Sequence, residues 1–158
     1  EVIVSTLNDF QAIALIEALK KVNYTRVRLL GGDTVKTTDM IKASGMIEGI
    51  YATSPVLEAK EFVAGRQFLE KYLEAYKKPP AYGGHYSYDS MYVLSAAMQK
   101  ARSAKPKDVT AAMHAINGYA PVTGTMTWDD KGEQRYAAVG VYELRRGSWE
   151  LRMRSDRW

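Results

Sequence analysis

The chain has 158 residues, 46% of them hydrophobic, which is enough to bury one average-sized core. No window holds the uninterrupted apolar run that a membrane-spanning helix requires. The absence of cysteine excludes disulfides, thiolate metal sites and cysteine nucleophiles. The net charge is +4, and basic residues thicken near the end: Arg145, Arg146, Arg152, Arg154 and Arg157, with Trp149 and Trp158 among them. Arginine beside aromatic residues suits nucleic acid. These arginines alternate with apolar residues as a half-exposed strand does, so the expectation is a solvated hairpin face and no nucleic-acid partner.

The chain opens on Glu1-Val2-Ile3-Val4-Ser5, without an initiator Met and without the basic and apolar regions of a targeting segment. The expectation is a start inside a longer product, or at a processed end. Val2 to Ser5 reads as a short buried strand. Asn8 and Gln11 then have capping-box spacing, and Ala12, Leu15, Ile16 and Leu19 make one helical face. Lys20 and Lys21 suit the last turn, and Asn23 the cap beyond it. Arg26 to Leu30 is a second strand, ended by Gly31-Gly32. A short helix follows over about Thr38 to Ala43, and a third strand runs from Gly49 to Ser54, stopped by Pro55. Strands alternating with helices predict a parallel sheet with helices packed against it.

The pattern then changes. One helix is predicted over Glu58 to Lys77, with Phe62, Leu69, Tyr72, Leu73 and Tyr76 as its stripe, ended by Pro79-Pro80. A Gly- and Tyr-rich loop over Tyr82 to His85 follows. Further helices are expected over about Tyr88 to Arg102 and Pro106 to Ile116, the last framed by Pro106 and Gly118. The end reads as antiparallel: Thr125 to Trp128, a turn at Asp129-Asp130-Lys131-Gly132, then Ala137 to Leu144, and a turn at Arg146-Gly147-Ser148 into Trp149 to Met153.

Catalytic patterns are missing. His85 and His114 lie in different elements, without HxxxH or HExxH spacing for zinc. No GxSxG, GxGxxG or GxxxxGK[ST] occurs. Asp129, Asp130 and Glu133 miss the calcium-loop pattern and fit a hairpin turn. No enzyme and no cofactor is therefore expected. Binding fits better, because ligands collect at the carboxyl ends of parallel strands in open sheets. Two such ends are Thr6-Leu7-Asn8-Asp9 and Gly31-Gly32-Asp33-Thr34. The two glycines are expected to let the backbone turn sharply and approach a ligand. Asp33 would project a carboxylate toward an ammonium or amide, or act only as a cap or turn residue.

Three segments together resemble the branched-chain amino-acid binding proteins of ABC transporters, the periplasmic leucine/isoleucine/valine type. They are Gly49-Ile50-Tyr51-Ala52-Thr53-Ser54-Pro55, Tyr86-Ser87-Tyr88-Asp89-Ser90, and Gly124-Thr125-Met126-Thr127-Trp128-Asp129-Asp130-Lys131-Gly132. The resemblance implies a three-layer αβα fold of the type I periplasmic-binding class, here the later part of a chain about twice as long. Residues 1–56 would belong to the second lobe, residues 57–122 would contribute helices to the first, and residues 123–158 would return to the second as a hairpin. It also implies a ligand site. Asp33 would hold the ligand ammonium beside Gly32, a second contact would fall on Leu7 or Asn8, and Tyr82 or Tyr86 would supply a hinge-side aromatic. The implied partners are a small solute (an amino acid, or an aromatic or amide relative) and a membrane permease, in the periplasm. A homo-oligomer of this fragment is also expected, from its open sheet edge. The alternatives are a ligand-sensing regulatory domain of the same fold, or a small α/β enzyme.

Overall fold

The computed structural model describes residues 1–124 and 126–156. The expected strand at Thr125, and the tail residues Arg157 and Trp158, fall wholly or partly outside the described residues. The chain divides into two compact units, residues 1–57 with 138–158, and residues 58–137. Ala120, Met126 and Trp128 pack into the core of the second unit.

The first unit holds a five-stranded mixed sheet in the order β1-β2-β3-β4-β5. Its strands are β1 (Val2–Val4), β2 (Arg28–Gly31), β3 (Gly49–Ser54), β4 (Gly140–Arg145) and β5 (Ser148–Arg154). β1, β2 and β3 are parallel, and β4 and β5 join antiparallel to them. The register aligns Ile3, Leu29, Ile50, Leu144 and Trp149 in one row across all five strands. Side chains alternate between faces along a strand, so this row lies on one face. There it packs with Ala12 and Ile16 of α1 (Asp9–Lys21) and with Met40 and Ala43. The opposite face carries Val2, Val4, Arg28, Leu30, Tyr51 and Glu143; Val2 and Val4, expected in a buried strand, are exposed there, β1 being an edge strand.

α1 begins as its sequence predicts. The capping box of Asn8 and Gln11 closes both ways, Asn8 N–H donating to Gln11 Oε1 at 3.1 Å, and Asn23 takes the left-handed position beyond the last turn, φ 59°. The segments Asp33–Val35 and Asp39–Ala43 are 3-10 turns, so the second crossover is shorter than a full α-helix. The β4–β5 hairpin turns on Arg146 and Gly147, at φ 49° and 77°. Two left-handed residues are what a two-residue hairpin turn requires.

The second unit contains α2 (Gly65–Tyr76), α3 (Gly84–Ala101) and α4 (Pro106–His114). The single helix expected over 58–77 is broken. A 3-10 turn spans Ala59–Glu61, and the chain doubles back so tightly that a Cβ on Gly65 would stand 1.6 Å from Ala59 O. α3 starts four residues earlier than its sequence suggests. Gly83, at φ 71°, leads into it, and His85 is buried among Phe62, Phe68 and Tyr86. Packing of His85 overrides the loop preference of the glycines. α3 and α4 share a core of Val93, Ala97, Val109 and Ala112. The Asp129–Gly132 turn forms as expected: Asp129 Oδ1 accepts the N–H groups of Lys131 and Glu133, each at 2.9 Å. Trp128 forms an antiparallel bridge with Gln134.

Candidate functional site

The candidate wall is built by the turns that leave β1 and β2. Both stand at the carboxyl ends of parallel strands, where the backbone must turn and the next element starts. Thr34 Oγ1 donates to Leu7 O at 3.1 Å, and Thr37 Oγ1 donates to Asp9 Oδ2 at 2.9 Å, so the two turns are laced together. Trp149 Nε1 donates to Thr37 O at 2.9 Å, fixing the second turn from β5. Ser5 Oγ accepts Leu7 N–H at 3.0 Å within the first. Leu7, Asn8, Gly32 and Asp33 are thereby carried on adjoining turns of one unit.

Their roles are separable. Asn8 is occupied as the cap of α1. Leu7 presents a half-buried side chain that packs against the core, and its carbonyl is taken by Thr34. Asp33 opens the 3-10 turn Asp33–Val35 with its side chain exposed. Its main-chain carbonyl accepts Lys36 N–H at 3.0 Å, while its carboxylate enters no hydrogen bond or ion pair among the described residues. A carboxylate that caps nothing and pairs with nothing is available to a ligand donor.

The glycines work differently from expectation. Neither Gly31 nor Gly32 has positive φ, and Gly31 is the last residue of β2. Gly31 is small because Val35 folds back on it: an added Cβ would stand 2.4 Å from Val35 Cγ2. Gly32 faces open space, with nothing within 4 Å of an added Cβ, so it is Gly32 that leaves room beside Asp33.

Beyond Asp33, Lys36 is buried, with Nζ 4.1 Å above the ring of Tyr142. This cation–π contact escaped the sequence reading because the partners lie in β2's turn and in β4, about a hundred residues apart in sequence. Arg152 and Arg154 are engaged with carboxylates. Arg152 meets Glu143 at 2.7 Å and Glu150 at 3.1 Å, and Arg154 makes a forked pair with Asp156 at 2.9 and 2.8 Å.

The two tyrosines belong to the helical unit. Tyr82 is 60% exposed, in the turn before α3. Tyr86 lies in the first turn of α3, not in a loop; it is half-buried, and packs edge-on to Phe62 at 6.0 Å. The same unit holds a groove of about 410 Å³, lined by Phe68, Lys71, Tyr72, Tyr76, Tyr88 and Val122. Tyr72 and Tyr76 stack at 4.6 Å, and Phe68 and Tyr88 at 5.3 Å. The helical period of residues 68, 72 and 76 was the signal for this wall.

A mixed five-stranded sheet with helices and paired strand-end turns defines an α/β architecture. The sequence profile of the periplasmic binding protein family matches residues 1–148, and the chain belongs to that family. Among curated proteins it is 23% identical, over 124 residues, to a Leu/Ile/Val-binding protein homolog of Brucella suis, covering 78% of this chain and 33% of that protein. Among solved structures, the leucine-binding protein LivK of Thermotoga maritima superposes with a TM-score of 0.80 at 22% identity, over 97% of this chain and 44% of that one. An ABC transporter substrate-binding protein of Desulfitobacterium hafniense in complex with Leu gives 0.76 at 19% identity, over 96% and 43%. The chain thus spans about a third of the curated relative's length and less than half of these structures.

Proposed function

We propose that this chain is part of the solute-binding component of an ABC importer, held in the periplasm and delivering a small solute to a membrane permease. The solute is an amino acid or a polar or aromatic relative of one. In this reading the sheet unit belongs to the second lobe and the helical unit to the first, and the complete protein closes its lobes on the ligand. Asp33 pairs with the ligand's ammonium or amide donor, beside the space left by Gly32 and next to Leu7 and Asn8. Tyr82 or Tyr86 covers its apolar part.

The observation that carries this reading is the unengaged, exposed carboxylate of Asp33 on a turn braced by Thr34, Thr37 and Trp149. A rigid turn presenting one carboxylate suits a cationic group better than a flexible loop does. The test is calorimetry on the full-length protein against amino acids, aromatic acids and amides. Asp33→Ala is expected to weaken the best ligand about 10- to 100-fold, the value of one lost charge-assisted hydrogen bond. Unchanged affinity would remove Asp33 from the site.

A further inference from the structure

Five rings of the helical unit form a continuous ladder. Tyr76, Tyr72 and Phe68 follow one another along α2 at centroid spacings of 4.6 and 5.8 Å. The ladder crosses to Tyr88 of α3 at 5.3 Å and continues to Tyr92 at 4.8 Å. All four spacings lie where aromatic pairs attract, roughly 4.5–7 Å. Phe68 is buried, and the Tyr88 hydroxyl donates to that of Tyr92 at 3.2 Å, which holds its ring in place. Tyr76 is 61% and Tyr88 40% exposed, so the ladder keeps open ring faces.

These rings border the groove of about 410 Å³, within the range of small-molecule sites, about 300–1,000 Å³. One face of α2 lines it from Ala64 to Tyr76, at the three-and-four spacing of a helical stripe. Ala64 and Ala75 in that stripe add little bulk, which leaves the ring faces reachable. Lys71 brings a positive charge to the groove, and no carboxylate lines it among the described residues. The Lys71 ammonium is exposed and enters no hydrogen bond or ion pair among the described residues; the Gln67 amide, one turn before it, is likewise unengaged. Asp89, next to Tyr88, spends both carboxylate oxygens on the amides of Val122 and Thr123. The groove thus offers flat apolar walls and two donors one helical turn apart.

We propose that this groove is a ligand site in its own right, one that takes a planar aromatic carboxylate. The guest ring stacks on Tyr72 and Tyr76 in the tilted or offset manner of the ladder itself and meets Tyr88 from α3. Its two oxygens accept from Lys71 Nζ and from the Gln67 amide, a charge-assisted bond beside a neutral one. An aliphatic acid lacks the stacking, and an aromatic ammonium meets Lys71 with like charge. The groove is made by the helical unit alone, so it is built without Asp33 and suits a ligand that carries no ammonium.

The test uses the full-length protein and 2-naphthoate, with naphthalene-2-methylamine as a cation of the same rings. The acid is expected to bind and to shift the ring resonances of Tyr72, Tyr76 and Tyr88, and the amine to bind at least ~10-fold more weakly. Lys71→Gln should weaken the acid about 3- to 10-fold. Lys71→Glu, a change at an exposed position, should invert the preference so that the amine binds more tightly than the acid. Tyr72→Leu should cost the acid about 3- to 10-fold; should that variant fold poorly, Tyr76→Leu, at the exposed end of the ladder, serves in its place. Four results would overturn the proposal. They are no binding of the acid, binding indifferent to the Lys71 and tyrosine variants, shifts at Tyr82 and Tyr86 in place of the groove tyrosines, and groove shifts that follow protein concentration alone. The third would put the acid at the site proposed around Asp33, and the fourth would assign the groove to a second copy.

Discussion

Asp89 holds Thr123 from across the helical unit. Oδ2 of this fully buried carboxylate receives Thr123 N–H at 2.7 Å, and Oδ1 receives Val122 N–H at 2.9 Å. The second turn of α3 is thus bound to the loop that carries Pro121 to Gly124. Asp89→Ala would strand two buried amides and should cost about 3 kcal/mol or more, read from the denaturation midpoint. Asp89→Asn keeps one acceptor and should lose about half as much. Faster exchange confined to Val122 and Thr123 would identify the lost contact.

The neighbouring glycines of the candidate wall should respond in opposite ways. Gly31→Ala drives a methyl into Val35, which is fully buried, and is expected to destabilise by about 1–3 kcal/mol. Gly32→Ala meets nothing and keeps an ordinary φ of −78°, so stability should change by less than about 0.5 kcal/mol. In the full-length protein Gly32→Ala should nevertheless weaken ligand binding, because its methyl enters the space beside Asp33. Equal stability losses for the two variants would contradict this division.

Thr37 links three elements through Asp9, Trp149 and Met40 of the Asp39–Ala43 turn. Thr37→Val removes the hydroxyl and leaves the carbonyl bond to Trp149 in place. The expected cost is about 1 kcal/mol, accompanied by faster exchange at the start of α1 and little change in the environment of Trp149. A large shift in tryptophan emission would mean the two bonds are not separable.

Tyr88 should titrate late. Its hydrogen bond to Tyr92, 3.2 Å between hydroxyls, holds its pKa above the ordinary 10.0, with burial adding to the effect. The folded value lies above the unfolded one, so the associated stability is whole below pH 10 and is lost as pH climbs through the raised value. The difference in tyrosinate absorbance between the chain and Tyr88→Phe should have its midpoint above 10.0. In a Tyr92→Phe background that midpoint should fall back.

Much of the sheet unit was legible because its signals are local. The Asn8 and Gln11 box, the Pro55 stop after β3 and the Arg146-Gly147 hairpin each depend on residues within a few positions of one another, as does the Asp129 turn in the helical unit. The helical unit was less legible where tertiary contacts decide. The break at Phe62 to Ala64 follows from the approach of Gly65 to Ala59, and the early start of α3 follows from the burial of His85. At the candidate wall, the turns and Asp33 were readable, whereas the brace from Trp149 to Thr37, 112 residues apart, was not. Periodicity carries no information about such distant pairings.

The pairing of β3 with β4 sets a clock for the growing chain. Tyr51 reaches Glu143 across 92 residues, and all of the helical unit is encoded between them. At synthesis rates of ~5–20 residues per second, β3 waits about 5 to 20 seconds for its neighbour. During that interval its main-chain groups have only β2 as a partner. The intervening helices, built from short-range contacts, can form in microseconds once released. A ribosome that stalled before Gly140 would therefore leave a half-built sheet with β3 as an open edge, and the newborn chain would be most prone to aggregation in that window.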